Sequence, residues 1–148
     1  LFRLSPRPFW GWRRGMLRLF GAQIGAQVHV YPTVRIAIPW HLQIAEQAAI
    51  GDRVILYALG PIVIGARATV SQNAHLCAGT HDVRRADRPL VKARIRVGAD
   101  AWICADAFVG PNVSIGEGAI LGARAVAMRS LAAGRIGEGN PMQERAET

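Results

Sequence analysis

Few side chains in this 148-residue chain carry chemistry beyond charge and packing. Four are histidines (His29, His41, His75 and His81) and two are cysteines (Cys77 and Cys104). His75 and His81 are close enough in sequence to suggest a metal site. Zinc, however, needs three convergent protein ligands beside an open position, and no third histidine lies near them on the chain. No metal is therefore expected. His29 and His41 are isolated among apolar residues and read as exposed turn residues. The cysteines have neither paired-ligand spacing nor the density of a disulfide scaffold, which points to a reducing cytoplasm. Cys104 reads as a small packed residue. His81 differs from the other histidines in its setting. It sits in Ala78-Gly79-Thr80-His81-Asp82-Val83-Arg84-Arg85-Ala86-Asp87-Arg88-Pro89-Leu90, polar and charged where the flanks are aliphatic. Long loops on rigid scaffolds are where function concentrates.

The formal charge is +8, with 18 Lys and Arg against 10 Asp and Glu. Clustered cations release counterions from nucleic-acid backbones, but the distribution here argues against that partner. The cations gather in the opening segment and between Arg84 and Arg96, not in a long stripe interleaved with stacking aromatics. A nucleotide-bearing cofactor or an anionic membrane surface accounts for the charge as well. No run approaches twenty apolar residues, and no signal-peptide pattern is present. The chain opens at Leu1 rather than methionine, so an upstream piece is expected.

The element that must position this loop is a repeat. Val97, Ile103, Val109, Ile115, Leu121 and Ala127 fall at intervals of six. Ala101, Ala107, Val113, Ala119 and Ala125 stand two residues before five of them, and Gly98, Gly110, Gly116 and Gly122 follow four of them. Alternation over a few residues gives a short strand one inward face, and a glycine every six residues supplies a tight turn. Three such sides close a triangular coil of about eighteen residues, stacked on the next at roughly 4.8 Å. An amphipathic helix needs apolar residues at spacings of three and four, which this stretch does not keep. Scarce aromatics and 16 glycines suit the narrow interior.

Upstream, the repeat begins at Ile24-Gly25 and runs through Val30 to Ile36. It reappears two residues out of phase at Ile38, Ile44, Ile50, Leu56 and Ile62, and returns at Ile64, Val70 and Leu76. These slips predict bulged corners. Between Leu76 and Val97 the interval exceeds one step by about fifteen residues, so a loop spanning 78–94 must leave the prism. The chain therefore divides into an N-terminal segment, 1–21, a solenoid, 22–129, and a tail, 130–148. In the first segment Trp12, Met16 and Phe20 share one face of a short helix, and Arg14 and Arg18 share another. That helix is expected to cover the open end of the core, with docking on anionic lipid as the other reading.

At this level of detail the sequence resembles the hexapeptide-repeat acyltransferases, and within them the exopolysaccharide O-acetyltransferases of the colanic acid type, relatives of the maltose, galactoside and nodulation acetyltransferases. The residues that carry the resemblance are Ser5-Pro6-Arg7-Pro8-Phe9-Trp10, Ser71-Gln72-Asn73-Ala74-His75-Leu76-Cys77, Gly79-Thr80-His81-Asp82, Ala101-Trp102-Ile103, Ala107-Phe108-Val109-Gly110-Pro111 and Gly139-Asn140-Pro141. It spans nearly the whole chain.

The resemblance implies an all-β solenoid, a left-handed parallel β-helix with a short capping helix and a protruding catalytic loop, assembled as a homotrimer. It implies a cytoplasmic O-acetyltransferase moving acetyl from acetyl-CoA to a saccharide hydroxyl, with active sites between subunits. His81 takes the role of general base, since a neutral imidazole can accept the hydroxyl proton. The backbone amide near Ala105 stabilises the oxyanion. Trp102 lines the cleft against pantetheine or sugar. Asn73 and His75 face the acceptor, and Asp82 bears on the acceptor or fixes the His81 tautomer. Surface or structural roles stay open for these three. Gly122 and Ala123 offer backbone contacts to pantetheine, with Met128 and Arg129 further along toward the nucleotide. The loop arginines meet cofactor phosphates or an anionic sugar.

The chain departs from the family pattern after its last coil. Ser130-Leu131-Ala132-Ala133 stands where relatives carry an acidic residue, an aliphatic residue and two prolines. Met142-Gln143-Glu144 stands where they carry alanine and a cation. Two other readings therefore remain: a non-catalytic β-helix scaffold, separated by CoA binding, and a γ-class carbonic anhydrase-like zinc enzyme, separated by metal content.

Overall fold

The structure is a computed structural model and describes residues 1–145. After one helix, α1 (Trp10–Leu19), the chain winds as a three-sided parallel β-helix. The first coil is β1 (Gln23–Ile24), β2 (His29–Val30) and β3 (Arg35–Ala37), and the second is β4 (Leu42–Ile44), β5 (Ala49–Ile50) and β6 (Ile55–Tyr57). The third is β7 (Ile62–Ile64), β8 (Thr69–Val70) and β9 (His75–Cys77). A hairpin then leaves the prism, β10 (Gly79–His81) and β11 (Leu90–Lys92). The coils resume with β12 (Ile95–Val97), β13 (Trp102–Ile103) and β14 (Phe108–Val109), then β15 (Ser114–Ile115), β16 (Ile120–Leu121) and β17 (Val126–Ala127). The last strands are β18 (Ile136–Glu138) and β19 (Gln143–Glu144).

Register aligns the inward residues in three columns. Ile24, Ile44, Ile64, Val97 and Ile115 stack on the first face. Val30, Ile50, Val70, Ile103 and Leu121 stack on the second. Ile36, Leu56, Leu76, Val109 and Ala127 stack on the third. All but Ile36 are buried, and so are the residues two positions before them, eight of the fifteen being alanine and the rest Val, Leu or Ile. Each coil adds two inward aliphatics per side, so the interior is a continuous column.

A six-residue side turns its corner through one left-handed residue. Gln27, Gln47, Arg67 and Asp100 hold φ of 54–60° at the first corner, and Arg53, Asn73, Asp106 and Arg124 hold 56–60° at the second. For a residue other than glycine this costs roughly 1 kcal/mol. Bonds between coils offset the cost: Gln47 Nε2 donates to Gln27 Oε1 at 3.0 Å, Arg67 pairs with Asp100 at 2.7 Å, and Arg53 Nε donates to Asn73 Oδ1 at 2.8 Å.

The third corner carries the irregularities. A 3-10 turn at Pro39–His41 follows Ile38, which has φ of 57° and caps that turn instead of opening the next strand. The second phase thus starts at the buried Ile44, not at Ile38. One coil on, Leu59 and Gly60 make the bulge, and one coil further the hairpin departs. Gly60 roots that hairpin. The Ala78 carbonyl accepts from Gly60 N at 2.9 Å and from Ala93 N at 3.1 Å, and a Cβ at Gly60 would lie 2.8 Å from the nitrogen of Ala93. Backbone cannot yield as a side-chain tip does. Gly60→Ala is expected to destabilise the fold by about 1–3 kcal/mol, readable as a lowered urea midpoint.

The N-terminal helix caps the first coil, but with the opposite face from the one its apolar residues suggest. Arg13 and Leu17 are its buried residues, whereas Trp12 and Phe20 face solvent. Unpaired strand edges need partners, and the arginines supply them: Arg13 Nε donates to Val30 O, Arg14 to Val28 O and Arg18 to Ile24 O. At the far end Leu131 bridges to Ile115, β18 pairs with β16, and β19 turns back antiparallel on β18. Met142 is buried over Leu131 and Gly137.

Candidate active site

His81 ends β10, exposed, on the hairpin that projects from the third corner. The turn beyond it is held by Asp82 N to Pro89 O at 3.0 Å, Arg85 N to Asp82 O at 3.4 Å and Arg88 N to Arg85 O at 3.1 Å. This brings the Arg88 carbonyl 2.7 Å from His81 Nδ1. A carbonyl can only accept, so Nδ1 carries the proton and the Nε2 lone pair is left outward. The tautomer that a base requires is set by the backbone.

Asp82 does not perform that task. Its Oδ1 accepts from the Arg84 amide and from Arg84 Nε, both at 3.1 Å, and the Arg84 guanidinium holds the carboxyl below its ordinary range. Being adjacent in sequence, the two side chains leave the strand in different directions. Asp82 instead closes the turn that carries Arg88.

His75 projects from the outer side of the third face, edge-on to Phe108 with ring centroids 5.2 Å apart. Its Nε2 is buried without a hydrogen-bond partner among the described residues, and desolvation, then the charge of Arg35, lower its pKa below the ordinary value. A histidine kept neutral by the fold stabilises it above the unfolded pKa of about 6.5, and that contribution is lost as acidification protonates the unfolded chain. The melting temperature is expected to fall as the pH drops below about 6.5, and His75→Gln should flatten that slope. Asn73 is a corner residue whose oxygen is already occupied by Arg53.

Trp102 stands on the outer side of the second face, 48% exposed, its Nε1 donating to Ser71 Oγ at 2.9 Å. No interior site exists for it, because Ala101 and Ile103 fill the inward positions. Ala105 and Ala123 occupy equivalent places one coil apart at the second corner. The Ala105 carbonyl accepts from Arg124 N, while the amides of Ala105 and Ala123 meet no backbone carbonyl among the described residues. The Gly122 amide is taken by Gly137 O. Burial pushes the neighbouring Cys104 thiol up, the mark of an unreactive packed residue. Met128 lies at the third corner against Gly110, and Arg129 beside it donates to Met142 O and Gln143 Oε1.

The expected site residues therefore divide by place. Trp102, Ala105, Gly122 and Ala123 lie along the second face and second corner, and His81, Asp82, Met128 and Arg129 lie on or near the third corner. The third corner is the one that does not border the second face, so one chain does not join the two groups. Among the described residues no three His, Cys, Asp or Glu side chains converge. Sequence reasoning missed the Arg88 carbonyl, which no side chain announces, and Ser71, whose hydroxyl orients Trp102 from one coil above.

Comparison with known proteins agrees with the repeat fold. A family model described as bacterial transferase hexapeptide (six repeats) matches residues 94–126. WcaF of Escherichia coli (strain K12), a colanic acid biosynthesis acetyltransferase by a name that marks the assignment as provisional, is 42% identical over 151 residues, covering 100% of this chain and 83% of its own. A maltose O-acetyltransferase from Clostridium difficile 630 superposes with a TM-score of 0.89 at 19% identity, over 97% of this chain and 79% of that one. A hexapeptide-repeat acetyltransferase from Vibrio cholerae O1 biovar eltor, complexed with acetyl coenzyme A, gives 0.87 at 18% identity, over 97% and 79%. At such identities the two structures speak to the fold alone. The repeat and the 42% identity across this chain make it a member of the hexapeptide-repeat acyltransferases, a relative of the colanic acid biosynthesis acetyltransferases.

Proposed function

We propose that the protein transfers acetyl from acetyl-CoA to a saccharide hydroxyl, at sites formed between copies of a homotrimer. The observation that carries this reading is the His81 imidazole, its Nδ1 proton committed to Arg88 O and its Nε2 open to solvent. Nε2 takes the proton of the acceptor hydroxyl as that oxygen attacks the thioester carbonyl. The carbonyl electron pair moves onto oxygen, where the free amide of Ala105 supports it. Collapse breaks the carbon–sulfur bond, and the imidazolium returns its proton to the departing thiolate. Ester and free thiol leave, and His81 is neutral again.

Division of the site residues between the second face and the third corner supports assembly between copies. The hairpin of one copy, reaching past its own prism, would place His81 against Trp102 and the Ala105 and Ala123 amides of a neighbour. Outward Ile55, Phe108 and Val126, half-buried on the third face, supply an apolar strip for such contact. In this arrangement Trp102 packs against pantetheine. Trp102→Ala is expected to raise the KM for acetyl-CoA about tenfold, the loss from removing one large apolar contact, with a smaller change in kcat.

Calorimetric titration with CoA and acetyl-CoA, alongside mass by light scattering, tests the reading. One site per subunit at micromolar affinity on a trimer is the expected result. A second reading, a scaffold without catalysis, draws on Arg129, which is engaged by Met142 and Gln143 and so withdrawn from the nucleotide end. Absence of CoA binding would establish that reading instead.

A further inference from the structure

The helix that caps the solenoid is amphipathic in the reverse sense. Its arginines turn toward the protein, and Phe9 (54% exposed), Trp12 (49%), Leu19 (79%) and Phe20 (55%) turn away, with Met16 half-buried between them. Phe9, Trp12, Met16 and Phe20, spaced by three, four and four residues, make one stripe along the axis, and Leu19 lies beside it three residues from Met16. Leu1 and Leu4 extend it, lining a shallow cleft with Phe9 and Trp12. On an isolated soluble domain a contiguous aromatic ridge of this kind marks a surface that something else covers.

The charge around the ridge selects the occupant. Residues 1–45 contain six arginines (Arg3, Arg7, Arg13, Arg14, Arg18 and Arg35) and no Asp or Glu. Arg13, Arg14 and Arg18 are bonded to neutral carbonyls, which satisfy their donors without cancelling their charge. Among the described residues only Arg7 of the six has a carboxylate, Asp52, at 2.9 Å. A second copy docking ridge to ridge would oppose two acid-free cationic ends, and an apolar protein groove would leave the arginines unanswered. A bilayer containing acidic phospholipid answers both features, with an acyl boundary for the aromatic rings and headgroup phosphates for the exposed Arg3 and Arg35, which line a cleft with Met16 and Phe20, while the inward arginines add only their longer-range field. The helix is about 15 Å long, and no helix among the described residues is long and apolar enough to span a membrane. We infer that α1 lies in the plane of an anionic membrane surface and docks the open end of the β-helix onto it, a property independent of the acyl-transfer reading.

The test is flotation of the full chain with vesicles of phosphatidylglycerol and phosphatidylcholine, against vesicles of phosphatidylcholine alone. The protein should float with the anionic vesicles and weaken as salt is added. Phe9→Ser, Trp12→Ser and Phe20→Ser combined replace exposed side chains, so the fold should survive, as an unchanged melting temperature would verify. The triple variant should lose tenfold or more in apparent lipid affinity, and Arg3→Glu about fivefold. Failure to float with anionic vesicles, or binding undiminished in the triple variant, would overturn the inference. So would a concentration-dependent doubling of mass without lipid that the same variant abolishes, since the ridge would then serve a second copy.

Discussion

His81→Ala should reduce acetyl transfer by about 10²–10⁴-fold, the range contributed by a positioned general base, while leaving mass, melting temperature and CoA affinity close to wild type. The side chain is exposed, and its one hydrogen bond in the structure is to the Arg88 carbonyl. Its loss opens no cavity and leaves that carbonyl to water. His81→Asn sharpens the test, because an amide can still donate to Arg88 O but cannot accept a proton at the Nε2 position. Both variants should be equally inactive. Substantial turnover in either one would remove His81 from the proton path, and loss of assembly or CoA binding would make its role structural.

The largest expected effect on stability lies at the other end of the molecule. Arg13 is fully buried, and its guanidinium donates to the carbonyls of Val30, Pro6 and Arg7 and to Ser5 Oγ, with the Trp10 ring 4.7 Å away. No carboxylate among the described residues pairs with it, and burial lowers its pKa. It ties three segments together: the opening turn, α1 and the edge of the first coil. Arg13→Met keeps much of the volume and removes every donor, stranding several acceptors. Charged hydrogen bonds contribute about 1.5–3 kcal/mol each, and buried orphans are costly, so a loss of about 2–4 kcal/mol is expected. Urea unfolding measures it, and limited proteolysis should cut first within residues 1–20. A change below about 1 kcal/mol would mean that the guanidinium behaves as an exposed charge.

The same two regions show what the sequence could disclose. A side chain's inward or outward sense follows from strand alternation alone, which is why Val97, Ile103 and Leu121 sit inside and Trp102 outside as the spacing requires. Ile38 shows the limit. It is apolar and in phase, yet a corner of variable length intervenes, and spacing cannot count residues in a bulge whose length is unknown. The inward face of the helix is hidden from the sequence for a different reason. Apolar residues normally turn inward, but here the surface to be covered is an open strand edge whose need is for donors, which arginine meets and phenylalanine does not. The Arg88 carbonyl was invisible in principle, since every residue has one and only the turn decides where it points. In the proposed trimer, gathering His81 and Trp102 into one cleft would depend on a neighbouring chain, which no spacing within one sequence records.

Parallel coils can in principle add further coils without limit, as a growing fibril does, because each strand edge matches the next. Both ends of this prism withhold that match. At the first coil, guanidinium groups occupy the carbonyls of Ile24, Val28 and Val30 that an incoming strand would need. At the last, β19 runs antiparallel to β18 and presents the wrong polarity for parallel stacking. The two terminal caps make the β-helix finite.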